Sequence, residues 1–149
     1  MAGICGIYCG TCPWYLAYRK HDLEQLNKLS ETNNIPIEQI RCDGCLSTRT
    51  APDCAKCGHG FRKCAAENNV KWCFQCPQFP CDRLQRYRDV HVVDGVSHHI
   101  HVIDNLLYMK KHGVSRWVQE QEKTACCPNC GNQLYWFTHE CLICHAQIH

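Results

Sequence analysis

CDGCLSTRTAPDCAKCGHGFRKCAAENNVKWCFQCPQFPC, residues 42–81, decides how this chain is to be read. It carries Cys42, Cys45, Cys54, Cys57, Cys64, Cys73, Cys76 and Cys81, with Gly44, Gly58, Pro77 and Pro80 among them. No apolar period of 3.6 or 2 is sustained through it, so it has no face to bury. The spacing predicts loops tied together by metal around a short helix near Phe61 to Asn68.

The pattern extends to both ends of the chain. Six Cys-x2-Cys pairs are present: Cys9/Cys12, Cys42/Cys45, Cys54/Cys57, Cys73/Cys76, Cys127/Cys130 and Cys141/Cys144. Two sulfurs at this spacing fold back onto one ion while backbone N–H groups point at them, which makes the pair a half-site of structural zinc. Six halves suffice for three tetrathiolate sites. Cys127, Cys130, Cys141 and Cys144 pair locally. Cys42, Cys45, Cys54 and Cys57 could form a second local site, but exchange with Cys9/Cys12 or Cys73/Cys76 is open, because sequence does not fix connectivity.

Cys5, Cys64, Cys81 and Cys126 remain. Cys126 adjoins a ligand and is expected to have no role. Cys5, Cys64 and Cys81 are buried thiols, members of the structural sites in another pairing, or a further site with an open fourth position, as in a catalytic or metal-delivering zinc. Cys5, Cys9 and Cys12 also spell Cys-x3-Cys-x2-Cys, the spacing with which radical S-adenosylmethionine enzymes hold a [4Fe-4S] cluster through three sulfurs. Thr11 stands where those enzymes usually carry an aromatic residue, and their strand and helix alternation is missing, so that chemistry is not expected. An iron-sulfur cluster without it stays an alternative to zinc.

Composition agrees with a metal-supported fold. The chain has 149 residues, enough for one ordinary domain and a small appendage. Its hydrophobic content is 45%, but the 16 cysteines supply about a quarter of that, which leaves a thin apolar core. No basic segment followed by an apolar run opens the chain, and no stretch approaches the ~18 apolar residues of a membrane span, so a cytoplasmic protein without membrane contact is expected. In a reducing compartment such cysteines are metal thiolates in preference to disulfides. The formal charge is +2. Each tetrathiolate zinc site changes it by −2, so three sites would bring the chain to about −4 and disfavour nucleic acid as a partner.

Between the cysteines the chain reads as helical. Pro13 to about Asn34 is expected as two helices meeting near His21, the second started by Asp22 with Leu23, Leu26 and Leu29 as a stripe. A helix is expected from Pro80 through Leu84 and Tyr87. Another is expected from Ser97 to His112, with Ile100, Ile103 and Leu107 on one face and Gly113 as terminator. Ser115 is expected to cap a last helix through Trp117, Val118 and Gln121. After Thr124, an apolar Leu134 to Phe137 strand between two Cys knuckles describes a small ribbon. The expected fold is small, metal-knotted and mainly α with irregular Cys-rich loops (1–123), followed by a C-terminal zinc β-ribbon (124–149).

His98 and His101, at i, i+3 on the expected helix, and His99 could add to a metal or carry protons, although a solvated helix start is the plainer reading. Trp14, Tyr15, Tyr18, Trp72 and Phe74 are expected to pack over the metal sites. Arg83, Arg86, Arg88, Lys110 and Lys111 are interleaved with Asp82, Asp89 and Asp94 and read as a solvated face.

Cys5-Gly-Ile-Tyr-Cys9-Gly-Thr-Cys12-Pro-Trp-Tyr, Cys42-Asp-Gly-Cys45, Cys73-Phe-Gln-Cys76-Pro-Gln-Phe-Pro-Cys81, His98-His99 ahead of Asn105-Leu, and Trp117 with Gln119-Glu-Gln-Glu together resemble the cysteine-rich prokaryotic family filed as domain of unknown function 3795. Cys127-Pro-Asn-Cys130-Gly with Trp136 resembles the ribbon that ends its longer members. The resemblance implies a bacterial or archaeal, soluble, zinc-binding protein and implies no reaction.

The expected function is a zinc-binding protein with three or more ions, acting as an interaction or adaptor module with a protein partner. A metalloenzyme or metal-transfer protein using Cys5, Cys64 and Cys81, with His98 or His99 as proton carrier, is the alternative. An iron-sulfur protein and a nucleic-acid-binding ribbon protein follow. The chain has no Walker loop, dinucleotide fingerprint or nucleophile elbow, so ATP, NAD and serine-hydrolase chemistry have no support.

Overall fold

A computed structural model describes residues 1–90, 92–93, 96–97, 99–136 and 138–148. The chain is mainly helical, with few strands and many cysteines. Helix α1 spans Pro13–Lys20, with proline at its first turn, and ends where His21 turns left-handed at φ 54°. Asp22 then caps α2 (Leu23–Asn33): its carboxylate accepts the Gln25 N–H at 3.1 Å. The two expected pieces are both present and meet where the sequence placed their junction.

Short helices α3 (Pro52–Lys56) and α4 (Phe61–Glu67) interrupt the Cys-rich loops. Helix α5 spans Asp82–Arg88. It begins two residues after Pro80, because Cys81 takes extended backbone and offers its carbonyl to the N–H groups of Leu84 and Gln85. Strands β1 (Val92–Val93) and β2 (Val96–Ser97) pair antiparallel, Val92 opposite Ser97 and Val93 opposite Val96. Ser97 therefore belongs to a strand and not to the next helix, as suits a run of β-branched valines.

Helix α6 spans Val102–His112 and α7 spans Val114–Thr124. The later start of α6 shifts its buried face to Val102, Leu106 and Met109, while Ile100 and Leu107 stay half exposed at 51% and 48%. Gly113, at φ 90°, separates the two helices, terminating α6 and preceding α7 in place of the expected Ser115 cap. His101 is the residue before α6, and His98, the other member of the expected helical pair, lies outside the described residues.

Two apolar clusters hold this together. The larger joins Ala2, Ile4 and Tyr8 of the N-terminal turn to Phe61 and Ala65 of α4, Leu84 and Tyr87 of α5, the buried face of α6, and Trp117 of α7. Tyr8 and Trp117 meet edge to face at 6.0 Å. Asn105 ties turn to helix pair: its amide donates to the Gly6 carbonyl at 2.9 Å and accepts the Trp117 indole N–H at 3.3 Å. The smaller cluster packs Ala17, Leu26, Leu29 and Ile40 beneath Trp14, Ile37 and Tyr135.

Residues 132–136 strap the chain's end to its beginning. The Tyr135 hydroxyl donates to the Asp22 carboxylate at 2.6 Å, the Gln133 amide to the Gly10 carbonyl at 3.0 Å, and the Trp136 N–H to the Thr11 carbonyl at 2.9 Å. Where a β-ribbon is expected, pairing among the described residues consists of two isolated antiparallel bridges, Cys126 with Gln133 and Glu140 with Gln147. Leu134 and Tyr135 are irregular, and Phe137 lies outside the described residues. Among the described residues, no helix is long and apolar enough to cross a membrane.

Candidate metal centre

The C-terminal knuckles are two copies of one turn. The Gly131 N–H bonds to the Cys127 carbonyl and the His145 N–H to the Cys141 carbonyl, both at 2.9 Å, and both closing residues are left-handed, at φ 72° and 58°. Each turn folds its two cysteines onto one point. Sγ of Cys127 lies 3.6 Å from Cys144, and Sγ of Cys130 lies 3.6 Å from Cys141, so the contacts run between knuckles. All four sulfurs are within 4.8 Å of one another. Four sulfurs about 2.3 Å from one tetrahedral ion would be spaced by ~3.8 Å, close to what is present. This group could hold a metal ion.

Its electrostatics suit thiolate. The Asn129 side chain and the Ala146 N–H bond to Cys144 and bring its thiol down to about 6, and the Cys144 and Ile143 N–H groups lower Cys141. Asn132 lowers Cys130 through its backbone bond, but Cys144, desolvation, Cys141 and Cys127 together push it up to about 12. A cation would remove that mutual penalty by favouring all four ionised forms. Cys126 stands apart, its thiol donating to the Glu122 carbonyl at 3.1 Å.

A second gathering of thiols lines a cavity of about 520 Å³. Cys5, Cys9 and Cys12 come from the N-terminal turn, Cys42 and Cys45 from the following loop, and Cys54 and Cys57 from α3 and its end. The tight turn of residues 1–9 sets Cys5 and Cys9, since the Gly3 N–H bonds to the Ile7 carbonyl at 2.8 Å and Ala2 bridges to Tyr8, and a short 3-10 turn with the Cys12 N–H on the Cys9 carbonyl at 3.1 Å sets Cys12. Cys45 receives the Ile4 N–H at 3.1 Å. The hydrogen bond from Cys9 is the chief reason that the Cys45 thiol falls to about 7, helped by Ile4 and Arg62, while the same bond and burial raise Cys9. Burial, then the charge of Cys45, pushes Cys5 up to about 12; burial also raises Cys12 and Cys54, the latter to about 12.

The cavity's other wall carries groups with chemistry of their own. The Cys5 thiol donates to the Tyr87 hydroxyl at 3.8 Å. The Tyr87 ring stacks on buried His99 at 3.9 Å and meets His59 edge-on at 4.5 Å. Neither Tyr87 nor His59 stands out in the sequence, since an isolated aromatic on a helix reads as core and a lone histidine in a loop as solvated. Asn129 was equally silent, although an amide between two knuckle cysteines is a side chain short enough to reach a sulfur.

Cys64, Cys73, Cys76 and Cys81 gather elsewhere, near the start of α5. Burial raises Cys73, followed by the charges of Cys5, Cys81, Cys64 and Cys76. Cys64 and Cys81 thus stand beside the Cys73/Cys76 pair, and Cys5 lies between this group and the cavity. Trp72 and Phe74 stack at 5.8 Å beside them. Among the described residues, the C-terminal four are the group of metal-ligating side chains whose donor atoms all approach within 4.8 Å.

Residues 1–86 match the family described as protein of unknown function (DUF3795). No curated protein and no solved structure matches the chain.

Proposed function

The chain belongs to the DUF3795 family, and from that premise we propose that it is a metal-organised interaction module whose C-terminal Cys127, Cys130, Cys141 and Cys144 hold one structural zinc ion. The 3.6 Å sulfur contacts between knuckles carry this reading, because they fit one tetrahedral ion and leave no fourth position open to substrate. The remaining thiols of residues 5–81 hold further metal. Zinc clamps the end of the chain, so that residues 132–136 can strap onto α1 and α2.

An adaptor role for a protein partner is supported by the tip of the second knuckle, where Leu142 and Ile143 are 63% and 68% exposed. Asp82 and Asp89, which flank Arg83, Arg86 and Arg88, and the negative charge added by each loaded site speak against nucleic acid. Sixteen free thiols suit a reducing, cytoplasmic setting.

Elemental analysis of the purified chain tests this. One zinc ion should be lost in Cys141→Ser and kept in Cys126→Ser. Structural zinc contributes roughly 10–16 kcal/mol to folding in small sites, so chelation should also loosen the C-terminal segment. Full zinc retention in Cys141→Ser would defeat the assignment.

A further inference from the structure

Between the α3–α4 loop and α5 lies an open recess of about 390 Å³, which Gly58, His59 and Gly60 line from the loop and Arg83, Arg86 and Tyr87 from the helix. No cysteine and no carboxylate among the described residues lines it. Arg83 and Arg86 stand three residues apart on α5 and so project from one side of it. Of the acidic residues that flank them, Asp89 is taken by Arg88 at 2.9 Å, and among the described residues neither Arg83 nor Arg86 forms an ion pair. Two guanidinium groups without a countercharge repel each other, and an anion held between them relieves that repulsion.

We infer that this recess binds the phosphoryl group of a phosphate monoester. Arg83 is set in place before any ligand arrives: its Nη1 donates to the Gly60 carbonyl at 2.9 Å, which leaves its other N–H groups for an acceptor. Gly60 permits that approach, since it is left-handed at φ 70° and a Cβ there would stand 2.8 Å from the same Nη1. The His59 ring, held edge-on to Tyr87 at 4.5 Å, adds an imidazole to the two guanidinium forks. A monoester carries close to two negative charges and three acceptor oxygens, so it answers both arginines where a carboxylate answers one, and the planar forks match its oxygens bidentately. Gly58, His59 and Tyr87 also line the thiol cavity, but the basic groups of the recess lie on its outer side, in Arg83 and Arg86 alone. The site therefore goes beyond the metal reading and does not depend on which thiols are loaded.

The test is calorimetric titration of the full chain as purified, at constant ionic strength, with phenyl phosphate, with benzoate, and with a short peptide that carries one phosphoserine. Phenyl phosphate should bind at least about tenfold more tightly than benzoate. Arg83→Gln and Arg86→Gln should each weaken it at least about tenfold, whereas Arg88→Gln, outside the recess, should bind as wild type does. If loss of the Arg83 bond to Gly60 unfolds the chain, Arg86→Gln decides, since Arg86 is exposed and its replacement leaves the fold in place. Tighter binding of the phosphopeptide than of phenyl phosphate assigns the phosphoryl group to a side chain of a protein partner, and the reverse order assigns it to a free small molecule; both support the site. Equal affinity for benzoate overturns the phosphate assignment. Binding unchanged in Arg86→Gln overturns the location, and no binding of either phosphate at millimolar concentration overturns the site altogether.

Discussion

Replacing Gly6 by alanine should be among the most damaging single-methyl changes in this chain, and a second glycine supplies the control. Gly6 sits in the N-terminal turn between Cys5 and Cys9 at φ 91°, and Gly113 sits between α6 and α7 at φ 90°. Both substitutions impose the same kind of backbone strain, about 1–3 kcal/mol for a residue held in so sparsely populated a region. They differ in what the new methyl meets. At Gly113 nothing lies within 4 Å, but at Gly6 the Cβ would stand 2.5 Å from the Val102 carbonyl oxygen and 2.8 Å from Leu106 Cγ. Val102 and Leu106 are fully buried, so neither can step aside. Overpacking of this kind costs about 1–3 kcal/mol more, and separation of turn from helix also stretches the Asn105 bond to the Gly6 carbonyl. Gly113→Ala should therefore cost about 1–3 kcal/mol and Gly6→Ala about 2–6 kcal/mol, a large part of a typical domain's stability. Denaturant titrations followed by tryptophan fluorescence, at matched metal loading, give the difference. Equal losses for the two variants would refute the packing argument.

The strap gives a second test: Tyr135→Phe removes a 2.6 Å bond to Asp22 and should cost about 1–2 kcal/mol, while Asp22→Ala loses both that bond and the α2 cap and should cost more by the same titration. The reverse order would sink the account. Glu120 supplies a pH test, because the Tyr108 hydroxyl at 2.7 Å, then Arg116, hold its carboxyl below its ordinary 4.5. A depressed carboxylate stabilises the fold fully above its unfolded value and loses that contribution as pH falls through the folded value. The Tm difference between wild type and Tyr108→Phe should thus be present near neutrality and shrink below about pH 4.5; a gap that widens in acid would contradict it.

What could be read from the sequence was local. His21 and Asp22 mark the break between α1 and α2 because a turn residue and a capping carboxylate act on their immediate neighbours. The C-terminal four could be paired for the same reason, with two knuckles and a short connection. The stripe on α6 was placed one phase out. Ile100 was counted as helical, but it precedes the helix, and the same period begun at Val102 gives the observed Val102, Leu106 and Met109. The cavity had no local signature. Its wall joins residues 3–15 to 42–62, then to Tyr87, His99 and Trp136, and no spacing rule relates segments brought together only by packing. Tyr87 gains its place beside Cys5 from α5 seating on the core, and nothing in the sequence around Tyr87 records the partner.

The strap also fixes an order of events in the making of the molecule. Trp136 closes one side of a cavity whose first walls are Gly3, Ile4 and Cys5, and its N–H is held by Thr11. On the ribosome, which adds roughly 5–20 residues each second, that indole emerges on the order of ten seconds after the turn it will cover. Throughout that interval the nascent thiols of the turn stand with one wall missing. Whatever fills the cavity meets an open vessel during translation and a lidded one after it. The direction in which the chain is read thus sets when that wall is added.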